Sequence, residues 1–448
     1  MTRQPDITVG IMDRRTEVAG RLDGDFFGEG FGPLSGRFSA KVMGEEIVLT
    51  DASRQICRSS LIRLTASKGS PLRQAFTLFH VTIGTRFHWE REEDQTFHGS
   101  LILRAAGNGT MAAINKIPLE DYLESVISSE MNDAAPFEFL KAHAILSRSW
   151  LLAALGRKKA ARGPARSGEG IRSGQKDEET IRWYDREDHD LFDVCADDHC
   201  QRYQGITKIA SGQAGEAVRQ TRGGVMSYQG EICDARYSKA CGGITEEFDT
   251  AWDDKRIPYL ASVSDAPVPH RPVGTEGEAS RWILSKPNAY CSTGDQGLLE
   301  KILPSFDREA QGFFRWKVEY LREELEGILR EKSGLDFGVL KDIVPLRRGP
   351  SGRISRLRIV GSKRSVIVGK ELEIRRWLSR SHLYSSAFVV TVKHNPEGEP
   401  KRFLFQGAGW GHGVGLCQIG AAVMASRGFP AEEILGHYFR GVEIRKIY

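Results

Sequence analysis

Two short stretches of the chain carry residues whose types and spacing suit chemistry. The first, HDLFDVCADDHC, places His189, Cys195, His199 and Cys200 within twelve residues. Two thiols and two imidazoles of this kind make a tetrahedral zinc set. Four protein ligands leave no open position, so such a site pins a loop rather than activating water. A disulfide or free thiols beside surface histidines is the alternative reading, and Asp193, Asp197 or Asp198 can replace one of the four ligands.

The second stretch is SSEMNDAAP, residues 128–136. In the preceding residues, Leu119, Tyr122, Leu123, Val126 and Ile127 fall at helical spacing on one face. Glu130 continues that apolar face, three residues after Ile127 and four after Val126, in the last turn before the Asn-Asp-Ala-Ala-Pro break. Burial and the negative end of the helix dipole both favour its protonated form. A carboxylic acid kept protonated near neutral pH is what glycosidic cleavage needs to protonate a leaving oxygen. The competing reading is a buried ion pair, with Arg148 of the following helix as the obvious cation.

A third stretch, GAGWGHGVG at 407–415, has glycine at every second position. On an extended chain this leaves one face bare, so that a ligand or another backbone approaches closely. It lacks the Lys-Ser/Thr ending of a phosphate loop and the spacing of a dinucleotide fingerprint. His412 within it also reads as a satisfied core residue.

These residues need elements to hold them. Short apolar runs from about 6 to 115, including DITVGIM, EEIVLTD, FTLFHVTIG and SLILRAA, alternate with turn residues and predict strands. From 117 the period becomes helical, with Pro118 suited to the first helical position and Glu120 and Asp121 to the positive helix end. A second helix is expected over about 137–156. The charged, Gly-rich RKKAARGPARSGEGIRSGQKDEET that follows reads as a solvent-exposed insertion. Residues 201–265 return to strand-like character with turns at SGQAG and GGVMSYQG. FRWKVEYLREELEGILREKSG predicts a strand leading into a helix, and VVTVKHNPEGEPKRFLF a hairpin.

The 448 residues suffice for two or three domains, or for one large domain with insertions. With 63 Lys and Arg against 59 Asp and Glu, the net charge of +4 is too small to argue for nucleic acid as the main partner. The seven cysteines are odd in number and irregularly spread, unlike a disulfide framework. Residues 1–30 lack the apolar core of a signal peptide, and no run approaches the roughly eighteen apolar residues of a membrane span.

Three stretches, in this order, resemble the SpoIID/LytB family, the stage II sporulation protein D type of peptidoglycan-cleaving enzyme. They are INKIPLEDYLESVISSEMNDAAPFEFLKAHAILSRSW at 114–150, YSKACGGITEEFDTAW at 237–252 and GWGHGVGLCQIGAAVMASRGFPAEEILGHYFRGVEI at 409–444. The resemblance implies a lytic transglycosylase that cuts the MurNAc-β-1,4-GlcNAc bond of cell-wall glycan and leaves a 1,6-anhydroMurNAc end. The catalytic glutamate of the family's Ser-Glu-Met motif falls on Glu130, and its important arginine on Arg148. Zinc-binding members carry a similar His-Cys-His-Cys cluster, which gives His189, Cys195, His199 and Cys200 that role. Tyr237, Ser238, Gly242, Gly243, Thr245, Gly411, His412, Gly413 and Gln418 are expected along the glycan groove. His143 stands where the family usually has Gln, and Cys417 where Ser is common.

The expected fold is α+β: a β-rich core of this family with a catalytic helix pair and an inserted α/β subdomain. Its segments are a β-rich region at 1–113, a catalytic core at 114–266 holding the charged insertion 157–182 and the zinc loop 189–200, an inserted subdomain at 267–400, and a Gly-rich strand with terminal helices at 401–448. The resemblance implies structural Zn2+, peptidoglycan strands as partner and a place in the cell envelope or outside the membrane. Some members are named as enhancers of a cell-wall amidase, which makes non-catalytic glycan binding, with an amidase as second partner, the alternative function.

Overall fold

A computed structural model describes residues 3–51, 54–66, 74–85, 90–160, 169–173, 178–183, 189–308 and 312–448. Its contacts divide the chain into two units, one of Met1–Ala160, Asp188–Val225 and Arg445–Tyr448, the other of Ala161–Glu187 and Met226–Ile444. The segment 114–266 is therefore shared between them. The fold is α+β and rich in strands.

The first unit is built on a mixed eleven-stranded sheet. Its main path runs Val194–Cys195, Asp6–Arg15, Met111–Pro118, Ser100–Ala105, Leu61–Ala66, Glu17–Gly28, Gly32–Met43, Glu46–Asp51 and Gln55–Ser59. Ala75–Ile83 branches from Glu17–Gly28 and pairs with Arg91–His98. Pairing is antiparallel except where Val194–Cys195 lies parallel to Asp6–Arg15. Alternation creates the core: Val18, Leu22 and Phe26 point inward from one strand while Glu17, Arg21 and Asp25 face out. The strands expected from the apolar runs are all present.

Met111–Pro118 feeds directly into helix α1, Leu119–Glu130. Pro118 is the last strand residue, with extended ψ of 143°, one position earlier than expected. Helix α2 spans Phe137–Ala160. Between them Asp133 is buried and accepts main-chain N–H bonds from Ala210, at 2.7 Å, and Ser211. The turn expected at SGQAG is instead the start of a helix, Gln213–Gln220. Gly215 there faces the Glu124 side chain of α1, and a Cβ would lie 2.8 Å from its carboxylate. The glycine thus serves close helix packing, not a turn.

The second unit holds a five-stranded sheet in the order Glu169–Ser173, Glu178–Arg182, Ser365–Gly369, Ile354–Gly361 and Leu340–Arg348. The first two strands come from the charged stretch expected to be an exposed insertion. Its residues 161–168 and 174–177 lie outside the described residues, but Glu178–Ile181 pair in parallel with Val366–Gly369. A three-stranded antiparallel sheet, Arg315–Leu321, Pro400–Ala408 and Phe388–His394, contains the expected hairpin. The strand Arg315–Leu321 leads into the helix Arg322–Ser333, also as expected. Leu325 and Leu329 of that helix pack with Trp316, Leu357, Phe388 and Phe403 in one core. No helix among the described residues is long and apolar enough to cross a membrane.

Candidate active site and metal centre

Helix α1 carries two buried carboxylates, one at each end. The stripe Leu119, Tyr122, Leu123, Val126 and Ile127 is at most 1 % exposed, and Glu130, its final residue, is 7 % exposed. Ten residues earlier Glu120 is 6 % exposed. At about 1.5 Å of rise per residue, roughly 15 Å separates the two ends.

Arg148, fully buried on α2, goes to Glu120 and not to Glu130. Its Nε donates to Glu120 Oε1 at 3.0 Å and its Nη2 to Oε2 at 2.7 Å, while Nη1 donates to the Gly224 carbonyl at 2.9 Å. The Tyr448 hydroxyl adds a further hydrogen bond to Glu120. This two-pronged buried pair ties α1 to α2 at the end of α1 remote from Glu130.

Glu130 is held by a different element. Its Oε1 accepts the main-chain N–H of Arg202 at 3.1 Å. Gln201, Arg202, Tyr203 and Gln204 form a buried strip along α1: the Tyr122 hydroxyl donates to Gln201 Oε1 at 3.1 Å, and the Gln204 N–H to the Ser129 hydroxyl at 3.2 Å. Tyr203 stacks on Tyr122 with ring centroids 5.1 Å apart and on Phe97 at 5.8 Å, and its hydroxyl bonds Asn115. Sheet, strip and helix end are thereby fixed together. Sequence reasoning missed this strip, because polar residues after a cluster of ligands carry no periodicity that marks them as buried.

The strip continues directly from the four candidate metal ligands. Donor atoms of His189, Cys195, His199 and Cys200 all lie within 4.8 Å of one another. Cys200 Sγ is 3.5 Å from His189 Nε2 and 3.4 Å from His199 Nδ1, and Cys195 Sγ is 3.8 Å from His199 Nδ1. Ligands at about 2.0–2.3 Å from a tetrahedral ion sit at such separations, so the donor set fits zinc. The aspartates considered as substitutes are engaged elsewhere: Asp193 accepts from Thr8 N and Oγ1, Asp197 from Thr85 N, and Asp198 from Arg202 Nε at 2.6 Å. Lys158 of α2 donates to the carbonyls of His189 and Phe192, closing the loop at its other end. A cavity of about 300 Å³ is lined by His189 and Cys195 together with Gln95, Arg202, Tyr203 and Gln204.

In the second unit the other two motif stretches run side by side. Tyr237–Ser238 pairs in parallel with Leu416–Cys417, and Ala240 exchanges two main-chain hydrogen bonds with Trp410. The glycine run is not a continuing strand: the strand ends at Ala408, and Gly409, Gly411, Gly413 and Gly415 all have φ between 75° and 91°. Left-handed backbone at alternate positions explains the period. What approaches the bare face is this chain itself, since a Cβ at Gly413 would lie 2.4 Å from the Arg353 guanidinium and one at Gly415 2.1 Å from the Arg236 carbonyl.

Of the residues expected along a groove, Thr245 and Gln418 are buried, and the Thr245 hydroxyl is used by Val263 N–H at 2.8 Å. Ser238, Gly242, Gly243 and Gly413 are also buried, and a Cβ at Gly243 would meet Trp282. Tyr237, Gly411 and His412 are half-buried. His412 Nδ1 accepts Val414 N–H at 3.0 Å and the ring packs edge-on against Trp252. Burial, with the charges of Arg236, Arg353 and Arg375, holds this imidazole well below its ordinary pKa, hence neutral with its proton on Nε2. Glu130 and Arg148 belong to the first unit, and these residues to the second.

Residues 107–228 match the family described as Stage II sporulation protein, and residues 246–415 match a domain of unknown function. The chain is 24% identical over 341 residues to Stage II sporulation protein D of Bacillus amyloliquefaciens, covering 74% of this chain and 75% of that protein. It is 25% identical over 348 residues to an uncharacterized protein of Brachyspira hyodysenteriae, covering 78% and 72%. It is 24% identical over 244 residues to the Amidase enhancer of Bacillus subtilis, covering 51% of this chain and 32% of that protein. Taken with the three motif stretches in their order, these matches support assigning the chain to the SpoIID/LytB family.

Proposed function

We propose that the protein is a peptidoglycan lytic transglycosylase acting outside the cytoplasmic membrane, with Glu130 as its single general acid and base. The observation that carries this reading is the placing of Glu130 at the buried end of α1, fixed by the Arg202 N–H and by a strip that a ligand cluster anchors. Glu130 first gives its proton to the glycosidic oxygen between MurNAc and GlcNAc. As carboxylate it then takes the proton of the MurNAc 6-hydroxyl, whose oxygen attacks C1 and closes the 1,6-anhydro ring. The bond to the leaving sugar breaks, no water is consumed, and the proton returned to Glu130 readies the next turnover. No second carboxylate is needed, unlike the paired acids of ordinary glycosidases.

His189, Cys195, His199 and Cys200 would hold zinc, which as a four-ligand ion supplies a structural cross-link. Arg148 acts as a positioning residue through Glu120. Tyr237, Gly411 and His412 are the members of the expected glycan-binding set that reach the surface.

The relative named Amidase enhancer favours a second reading, in which the protein holds glycan for a cell-wall amidase without cutting it. Incubating intact and peptide-stripped glycan strands with wild type and with Glu130→Gln, then searching for anhydro-ended sugars by mass spectrometry, separates the two. Anhydro ends from wild type alone support cleavage. None from wild type on either substrate, with stimulation of an added amidase, supports the enhancer.

A further inference from the structure

The second unit contains another cluster of metal-ligating side chains. Cys241, Asp265, Cys291 and Cys417 are 2 %, 0 %, 3 % and 0 % exposed, and their ligand atoms all lie within 4.8 Å of one another. They come from four separate places: Cys241 follows the short strand Tyr237–Ser238, Asp265 follows the bridge at Ser264, Cys291 lies in the turn Tyr290–Ser292, and Cys417 immediately precedes the helix Gln418–Ser426. Three thiols and a carboxyl are gathered in a buried interior, where an uncompensated carboxyl is costly.

We propose that Cys241, Asp265, Cys291 and Cys417 form a second, fully buried site for a tetrahedral, thiolate-preferring divalent cation of the zinc class. Cys241 Sγ and Cys291 Sγ are 3.8 Å apart. That matches the edge of a tetrahedron with ligands about 2.3 Å from its centre, whereas a disulfide needs about 2.05 Å.

The surroundings are those of anionic ligands. Cys417 Sγ accepts the Cys241 N–H at 3.2 Å, and Cys241 Sγ accepts the Gly243 N–H at 3.4 Å. Asp265 Oδ2 accepts the Cys291 N–H at 3.0 Å, and its Oδ1 the Tyr438 hydroxyl at 2.6 Å, which orients the carboxylate and leaves a lone pair on each oxygen. Cys417 stands at the positive end of its helix. Four main-chain carbonyls, those of Gly242, Trp282, Ser285 and Phe314, hold the Arg315 guanidinium, which thereby meets the chain one residue after Cys241.

The site joins the motif stretch at 237–252 to the one at 409–444 through their own cysteines. Its role is a cross-link of the second unit, and it is independent of the glycan-cleaving reading and of the first cluster.

The test uses full-length Cys195→Ser/Cys200→Ser protein, in which the first cluster is disabled, purified under reducing conditions. Elemental analysis is expected to find about one zinc per chain, falling at least fivefold on adding Cys291→Ser or Asp265→Asn. Should those variants fail to fold, cobalt(II) loading of the Cys195→Ser/Cys200→Ser protein is read instead, with strong thiolate-to-cobalt absorption and a tetrahedral visible spectrum expected. Folded protein without zinc and with no cobalt–thiolate absorption overturns the proposal. So does peptide mapping without reductant that finds Cys241 and Cys291 joined as a disulfide in freshly isolated protein.

Discussion

Glu120 and Glu130 lie on the same helix, ten positions apart and almost equally buried, yet their partners differ in kind. At the start of α1 the carboxylate is saturated by the Arg148 fork and the Tyr448 hydroxyl. At the end of α1 the carboxylate accepts the Arg202 main-chain N–H, from a strip whose Gln204 N–H also bonds the neighbouring Ser129 hydroxyl. One end is a clasp between two helices, and the other holds the carboxylate to which we assign proton transfer. Burial alone therefore does not distinguish the two carboxylates; the Arg148 fork on Glu120 does.

The largest expected effect is at the Glu130 end. Glu130→Gln keeps an oxygen to accept the Arg202 N–H, so a cooperative melt is expected to persist while glycan cleavage falls by about 10²–10⁴-fold, measured as the rate of new chain ends. At the structural end, Arg148→Ala strands the Glu120 carboxylate and is expected to cost about 3–5 kcal/mol in denaturant unfolding. Arg148→Lys recovers only part of that, because an ammonium cannot reproduce the two-pronged geometry.

Glu246, a fully buried carboxylate in the second unit, provides a contrast to Glu120. Burial pushes it up to about 7, against hydrogen bonds from the Ser351 hydroxyl and the Glu247 N–H and the charge of Arg353. Between its ordinary 4.5 and about 7 the folded protein holds a proton that the unfolded chain has lost. Its stabilising contribution is thus complete below pH about 4.5 and lost as pH rises through about 7, a fall of about 3 kcal/mol. Unfolding midpoints across that window are expected to decline in wild type and to lose this component in Glu246→Gln. The smallest effect belongs to Tyr448→Phe, which removes one donor to Glu120 and is expected to cost about 1–2 kcal/mol with cleavage unchanged.

Much of this was legible in the sequence where spacing is local. The apolar stripe of α1, the strands of the first unit, the strand and helix at 315–333 and the four candidate ligands at 189–200 all declare themselves within a dozen or so residues. The partner of Arg148 did not. Two carboxylates on one helix suit an arginine on the next, and only the way α1 and α2 lie together selects Glu120. Gln201–Gln204 was hidden because its burial depends on long-range packing against Tyr122 and Phe97. The helix Gln213–Gln220 was masked by glycine, whose absent side chain serves Glu124. The glycine run was read as extended because a period of two fits both a strand and alternating left-handed turns. Cys241, Asp265, Cys291 and Cys417 illustrate the same limit: ligands dispersed from 241 to 417 have no spacing to read.

The most direct test of the central claim is the chemical nature of the chain end made by wild-type protein in heavy-oxygen water. If Glu130 directs the sugar's own 6-hydroxyl onto C1, the new MurNAc ends are anhydro sugars, one water lighter than reducing ends and free of heavy oxygen, and Glu130→Gln makes none. Reducing ends that carry the label, or equal cleavage by Glu130→Gln, would contradict it.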